Sequence, residues 1–551
     1  MTTQTVSGPR PEAGLGDNAR GGGFWSLLRA EWIKFRSVRG WTIGMVVAAL
    51  LIIFLGVFAG ANASIACHMN GGPTKSGKAC LPHVPHGPGG EVVSDSFSFV
   101  RQPLAGNGTM TVRVTALTGQ HAQLSAGPGQ AGAGTMVPGL TGWAKAGILI
   151  KQSTRQGSAY AAMMVTGRHG VRMQENFTGD TAGLPGAVSA GHPRWLRLTR
   201  SGDTITGYDS ADGSHWIRVG TARLTGLPST VQVGMFAATP AYTVTQNSFG
   251  GSSTEGGPAR ASGAFDHVSL AGGAPGGTWT GGAIGGGGPA GAGPPGAGPG
   301  PGGVPALFTR NGGSFTVRGS GDIAPVGPGP DGPFPTVTIE QSLVGAFVGL
   351  IAIVVVAAMF FSTEYRRGLI RTTLAAAPRR GRVLAAKAVV IGAVAFVTGL
   401  VAAVVSIAVG VPKEESSGQV LLSVPFLTEG RVIIGTAAML AVAAVFAVAL
   451  GAILRRSAAA ITIAVITVVL PFLLAALNVL PAGVSDWLLR LTPAAGLAIE
   501  QSIPRYSQVT TFVSAAGGYY PLSPYAGFAV LCLWAGAALA LALVLLRRRD
   551  A

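Results

Sequence analysis

A first unbroken apolar run begins at Trp41: WTIGMVVAALLIIFLGVFAG is 20 residues without a charge. As a helix it is long enough to cross a hydrocarbon core of about 30 Å. Just before it, in FWSLLRAEWIKFRSVRG, Phe24, Leu27, Leu28, Trp32 and Phe35 recur at helical spacing. Arg29, Lys34, Arg36 and Arg39 fall largely off that stripe, which predicts an amphipathic helix lying on the inner membrane surface. Five further apolar runs lie near 340–361, 388–411, 432–454, 457–480 and 525–546, so about six transmembrane helices are expected. Between the first run and the rest, from about 91 to 270, the period changes to two. FSFV, TMTVRVTAL, AGILIKQ, WLRLTR and TITGYDS, separated by Gly, Asp and Asn turns, predict an antiparallel β-sandwich. The fold class is thus a polytopic α-helical membrane protein with an inserted all-β domain.

Charge orients this arrangement. Arg366, Arg367, Arg371, Arg379, Arg380, Arg382 and Lys387 crowd the loop after the second run, against Glu364 alone. Arg455 and Arg456 separate runs four and five, and Arg547, Arg548 and Arg549 follow the sixth. The intervening loop 412–428 sets Lys413 against Glu414 and Glu415. Short loops rich in Lys and Arg stay inside, so both termini are expected in the cytoplasm and residues 62–338 outside a plasma membrane. Ala61-Asn62-Ala63 has the form of a signal cleavage site, but the apolar run is too long and too far from the start, favouring a retained anchor. Residues 1–23 are polar and Gly-rich and predict a disordered tail. Residues 62–90 form an outer segment with Cys and His. Residues 271–337 read as a Gly/Pro-rich linker carrying a short hairpin at 308–318, with Asn311-Gly312 as its turn.

Composition agrees. Only 11% of residues are charged while 48% are hydrophobic, and mean hydropathy is +0.44. The net charge of +17 sits beside apolar runs rather than in an aromatic-interleaved patch, which excludes a nucleic-acid partner. Cys67 and Cys80 lie just outside the first run, where a disulfide is expected. The spacing of His68, His83 and His86 fits no zinc pattern. Gly72–Ala79 imitates a phosphate-binding loop but ends in Ala79 where a hydroxyl must hold magnesium. Ser210–Trp216 approaches the Asp-box of sialidases and reads more plainly as a turn, with Trp216 packed below it. No carboxylate pair marks a glycosidase, and no cofactor is expected. Ionisable residues stand at the ends of the apolar runs, among them Glu340, Lys387, Glu429 and Arg431. Ion-driven transport uses a titrating group at depth, so any energy for transport is expected from a separate ATPase.

LLRAEWIKFRSVRGWTI and EYRRGLIRTTLAAAPRRGRVLAAK resemble the permease subunits of type-2 ABC exporters, over residues 24–61 and about 338–551. The resemblance implies that the amphipathic helix and the loop between helices two and three contact separate ABC ATPase subunits. It places Glu31 and Lys34 in that helix, and Glu364, Arg366, Gly368, Arg371, Thr373, Pro378 and Arg382 in that loop. It also implies pairing in the bilayer, as a homodimer or with a second permease, and short re-entrant helices within 481–524. WLRLTRSGDTITGYDSADGSHWIRVG resembles concanavalin-A-like, laminin-G-like domains, implying an extracellular glycan partner. A glycan-binding receptor or adhesin, anchored by its helices, is the alternative reading.

Overall fold

A computed structural model describes residues 23–62, 66–67, 75–76, 84–123, 135–248, 251–273, 277–285, 307–329, 335–366, 380–477, 479–509 and 515–549. Eight α-helices are described: α1 (Phe24–Ser37), α2 (Arg39–Asn62), α3 (Val344–Arg366), α4 (Arg380–Ser416), α5 (Phe426–Leu454), α6 (Ser457–Ala476), α7 (Ala482–Leu491) and α8 (Pro524–Arg549). Six of them, all but α1 and α7, are long and apolar enough to cross a membrane. Helix α5 is central and packs against α3, α4, α6 and α8. Small residues permit this closeness: a Cβ on Gly399 of α4 would lie 3.1 Å from the Ala437 Cα of α5. Glycines 345 and 349 of α3 sit directly against Ile52 of α2 in the same way.

The β region is built of two antiparallel sheets. The proximal sheet, edge to edge, is Gly179–Ala182, Val171–Glu175, Tyr160–Thr166, Lys145–Lys151, Thr230–Ala238, Phe97–Ala105 and Thr280–Ile284. The distal sheet is Ile217–Arg223, Thr204–Ser210, Arg194–Ser201, Gly108–Ala122, Ala259–Gly272, Ser314–Gly319 and Phe308–Asn311, with Met136–Pro138 paired beside Gly108–Ala122. Val100, Ile148 and Met163 of the first sheet and Val112, Leu196 and Ile205 of the second share one core. The distal strands alternate buried and open positions, as a sheet with one free face must. The proximal strands do not, because Phe97, Phe99, Leu149, Tyr160, Phe177 and Phe236 make a second core on the opposite face. Lys145–Lys151 and Tyr160–Thr166 are buried throughout. A ribbon of Val93–Asp95 and Ile323–Pro325 is locked to that face by two buried cations. Lys151 Nζ lies 2.8 Å from Asp95 Oδ2, and Lys145 Nζ 2.6 Å from Asp322 Oδ1.

Two expectations change. Residues 271–337 are not a linker where they are described: Thr280–Ile284 and Phe308–Gly319 complete the two sheets, with Phe315 and Val317 in the shared core and Ile284 in the second core. Asn311 pairs with Ser314, so the hairpin turns through Gly312 and Gly313, with Gly312 at φ 60°. Cys67 lies in a short ladder, Ala66–Cys67 against Lys75–Ser76, while Cys80 lies outside the described residues and with it the expected disulfide.

The sandwich is fastened to the helices. Val92 and Val326 cluster with Val420, Leu422 and Ile503, and Thr336–Val337 pairs in parallel with Val420–Leu421. Ser423 Oγ donates to Gly90 O at 3.0 Å, Gln508 Nε2 to Phe177 O at 2.8 Å, and Ser507 Oγ to Asp180 Oδ2 at 2.6 Å. Burial pushes the Asp180 carboxyl up, but its bonds to Arg172 and Ser507 outweigh this and hold it below its ordinary 3.8. A depressed carboxylate stabilises above its unfolded value and loses that contribution only as pH falls through its folded value. Docking is therefore expected to be unchanged between about pH 7 and pH 5, read as steady hydrogen-exchange protection of Val420–Leu422. Leu422→Asp, which puts an unpaired charge in the docking cluster, is expected to abolish that protection.

Candidate coupling site

Helix α1 turns Leu28, Glu31 and Phe35 inward and leaves Trp25 at 82% and Trp32 at 48% exposed. The predicted apolar stripe is thus split, because a carboxylate rather than an apolar residue occupies the centre of the packed face. The chain then breaks at Val38, whose extended backbone (ψ 96°) separates α1 from α2. Phe35 and Trp41, on either side of the break, both meet Phe360 of α3 edge-on, at 6.0 and 4.9 Å between ring centres.

Below these rings lies a quartet of charges. Lys387 of α4 is fully buried, with Nζ 2.7 Å from Glu31 Oε2 of α1 and 2.6 Å from Glu364 Oε1 of α3. The Phe360 ring centre is 4.8 Å from the same ammonium. Lys34, more open, reaches Glu31 Oε1 at 3.0 Å and Glu364 Oε1 at 3.3 Å. Two carboxylates and two ammonium groups balance, which is what lets charge stay where water is excluded. Glu364 keeps its second oxygen, Oε2, buried without a hydrogen-bond partner among the described residues.

The quartet joins three helices and both ends of one loop. Glu364 stands near the end of α3, and Lys387 two turns into α4, with residues 367–379 between the helices. Arg380 donates to Leu546 O at 2.7 Å, tying the start of α4 to the last turn of α8. Arg382 is exposed on the first turn of α4, and Arg366 ends α3. Gly368, Arg371, Thr373 and Pro378 lie outside the described residues. Of the residues expected at this site, the fold therefore brings Glu31, Lys34 and Glu364 together. Lys387, a member of the basic loop and a charged end of an apolar run in the sequence, joins them in the fold. No local signal marks its burial, because the partners that hold it, Glu31, Glu364 and Phe360, come from other helices.

A second buried acid was passed over because it lies outside the apolar runs. Glu500, at the end of the 3₁₀ helix Pro493–Glu500, accepts from Thr436 Oγ1 of α5 at 3.1 Å. Arg431 donates to Gln501 O at 2.6 Å and to Ile499 O at 3.3 Å, pinning this segment against the start of α5.

Six helices long and apolar enough to cross a membrane, two of which meet α1 at a buried charge cluster, fit a multi-pass membrane protein with a β-rich region between its first two spans. More particularly, residues 154–551 match the ABC-2 family transporter proteins, and the chain belongs to that family, the membrane component of ABC transport rather than its catalytic one. No curated protein matches the chain. Among solved structures, a functionally unknown protein from Saccharomyces cerevisiae is similar at 15% identity, covering 38% of this chain and 86% of its own, with TM-score 0.21. Scytalido-glutamic peptidase with a transition state analog inhibitor is similar at 9% identity, covering 41% and 98%, with TM-score 0.25. The GH43 BlXynB protein from Bacillus licheniformis follows at 17%, covering 31% and 32%, with TM-score 0.18. Scores this low assign no activity to the sandwich.

Proposed function

We propose that this chain is the permease subunit of an ATP-driven exporter, powered by a separate ATPase subunit and working as a homodimer or with a second permease. Both termini lie in the cytoplasm and residues 62–338 outside. The observation that carries the reading is the Glu31–Lys387–Glu364 bridge, because it makes α1, α3 and α4 one mechanical unit. Force applied to α1 or to the loop 367–379 reaches the ends of two spanning helices without slack. The exposed side of α1 and Arg366, Gly368, Arg371, Thr373, Pro378 and Arg382 form the surface on which the ATPase pushes. Glu31 and Glu364, being buried, act as positioning residues, with Lys34 bridging them at the rim. The uncharged spanning helices support an apolar or amphipathic substrate.

The test is purification in mild detergent from the native membrane, with mass spectrometry of what co-elutes. A stoichiometric ATPase is expected, and Arg371→Glu with Arg382→Glu is expected to lower its yield at least tenfold while leaving the permease folded. Absence of any ATPase, under conditions that keep a known ABC transporter intact, overturns the reading and leaves an anchored surface receptor in its place.

A further inference from the structure

Among the described residues the distal sheet contributes none to the docking cluster or to the hydrogen bonds that fasten the sandwich, so its outer face looks away from the helices. Met110, Val112, Leu196, Leu198 and Ile205 point into the core. Their strand neighbours therefore stand on that outer face, where strand pairing arranges them in three rows. In the first, Asp266, Arg113 and Trp195 are successive cross-strand partners. In the second the partners are Ser269, Thr111, Arg197, Tyr208 and Arg218. The third is Thr109, Thr199, Thr206 and Thr221.

The first row is self-satisfied. Arg113 makes a forked pair with Asp266, at 2.7 Å from Nε and 2.6 Å from Nη2, and lies 5.6 Å from the Trp195 ring centre. A bulge between Asp266 and Ser269, with His267 at φ 47°, brings the His267 ring edge-on to Trp195 at 5.2 Å. Trp195 also receives the Ser210–His215 turn: Gly213 (φ 79°) touches the indole so closely that a Cβ would lie 2.7 Å from it. Trp216, expected beneath that turn, instead lies on the open face.

The second row is unsatisfied. The Arg197 guanidinium stacks 3.7 Å from the Trp216 ring centre and donates from Nε to Thr111 Oγ1 at 3.3 Å. Among the described residues no carboxylate pairs with Arg197 or with Arg218, which is exposed beside Tyr208. Guanidinium forks without acids, half-buried at Arg197 and exposed at Arg218, seek carboxylate, sulfate or phosphate. Flat aromatic rings and rows of hydroxyls beside them suit the faces and hydroxyl edges of sugar rings. The row crosses five adjacent strands, roughly 19 Å at about 4.8 Å per strand, the length of an oligosaccharide rather than of one sugar.

We infer that this face is a binding platform for an anionic glycan polymer outside the membrane. Arg197 and Arg218 take its acidic groups, and Trp216 and Tyr208 stack on its rings. The platform stands apart from the transport reading, since neither its residues nor its test involves the ATPase.

The experiment uses the full chain in lipid nanodiscs, immobilised, with heparin, alginate, neutral dextran and inorganic polyphosphate as probes. Heparin and alginate are expected to bind at least tenfold more tightly than dextran. Arg197→Ala with Arg218→Ala, and separately Trp216→Ala, are each expected to weaken alginate binding at least tenfold without moving the thermal unfolding midpoint. Arg168→Ala, an exposed arginine off the platform, is expected to change nothing. Loss of alginate binding in Trp216→Ala with polyphosphate binding unaltered supports recognition of the sugar. Equal binding of polyphosphate and alginate, both indifferent to Trp216→Ala, reduces the face to a polyanion attractor and overturns the proposal. So does dextran bound as tightly as alginate, or no binding at all.

Discussion

Lys387→Met is expected to lower the stability of the helical domain by about 3–5 kcal/mol, because it leaves Glu31 and Glu364 buried and facing each other across the space the ammonium held. A thermal unfolding scan in detergent reads the loss directly. Lys387→Met combined with Glu31→Gln and Glu364→Gln is expected to recover most of it, since an uncharged, hydrogen-bonding set costs far less than a broken one. The restored variant is expected to remain uncoupled, with ATPase bound but not stimulated by substrate, because amides and a thioether do not hold three helices as tightly as a charge bridge. If the triple variant were both stable and fully active, the bridge would be structural only. Lys387→Arg tests shape: the charge stays, but a guanidinium must fit under Phe360 where an ammonium now sits 4.8 Å from the ring centre.

An effect of similar size is expected far away, in the sandwich. Lys151→Ala strands Asp95, whose Oδ2 then keeps, among the described residues, only the Gly157 amide at 2.7 Å and whose Oδ1 has no partner among them. The cost is again about 3–5 kcal/mol, and it falls on the ribbon Val93–Asp95/Ile323–Pro325, whose hydrogen-exchange protection is expected to vanish while ATPase co-purification persists. Lys151→Met with Asp95→Asn is the compensating pair. Burial outweighs the pull of Asp95 and holds the Lys151 ammonium below its ordinary 10.5. The unfolded chain then binds that proton more tightly, so this site alone adds stability as pH rises toward 10.5 and removes it on the way down. The stability of Lys151→Met minus that of wild type is therefore expected to fall as pH rises toward 10.5, and a rising difference would contradict the assignment.

These two cations mark what a linear reading misses. The six spans were legible because each is an uncharged window of helix length, a property local to the sequence. The distal strands were legible because one face is wet and the pattern alternates. The proximal strands carry no such alternation, and Lys145 and Lys151 close one of them as if to mark its solvent ends. They do the reverse because their acids arrive from Asp322 and Asp95, far along the chain in both directions. Residues 271–337 looked unable to hold a core for a related reason: Thr280–Ile284 and Ser314–Gly319 add few apolar side chains of their own and are held by strand partners laid down much earlier. At the coupling site, Glu31, Lys34 and Glu364 came from family resemblance, not from spacing. Glu31 shares its helix face with Leu28 and Phe35, and Lys34 beside it would read as an ordinary surface pair; its buried partner, Lys387, lies more than 350 residues along the chain.

The insertion of the sandwich between α2 and α3 also has a consequence in time. These two helices are close-packed neighbours, with α3 glycines seated against Ile52. Yet roughly 280 residues separate them, and at about 5–20 residues per second a ribosome spends on the order of 15–55 s between finishing one and starting the other. For that interval α2 waits with Ile52 lacking the α3 glycines that will seat it, while the β-domain folds behind it. Its own small residues and aromatic rings, Gly44, Gly56, Phe54 and Phe58, are then open to any other nascent span. Protection of α2 during synthesis, by an insertase or by a second chain, is thus a condition of assembly that a permease with a short first link escapes.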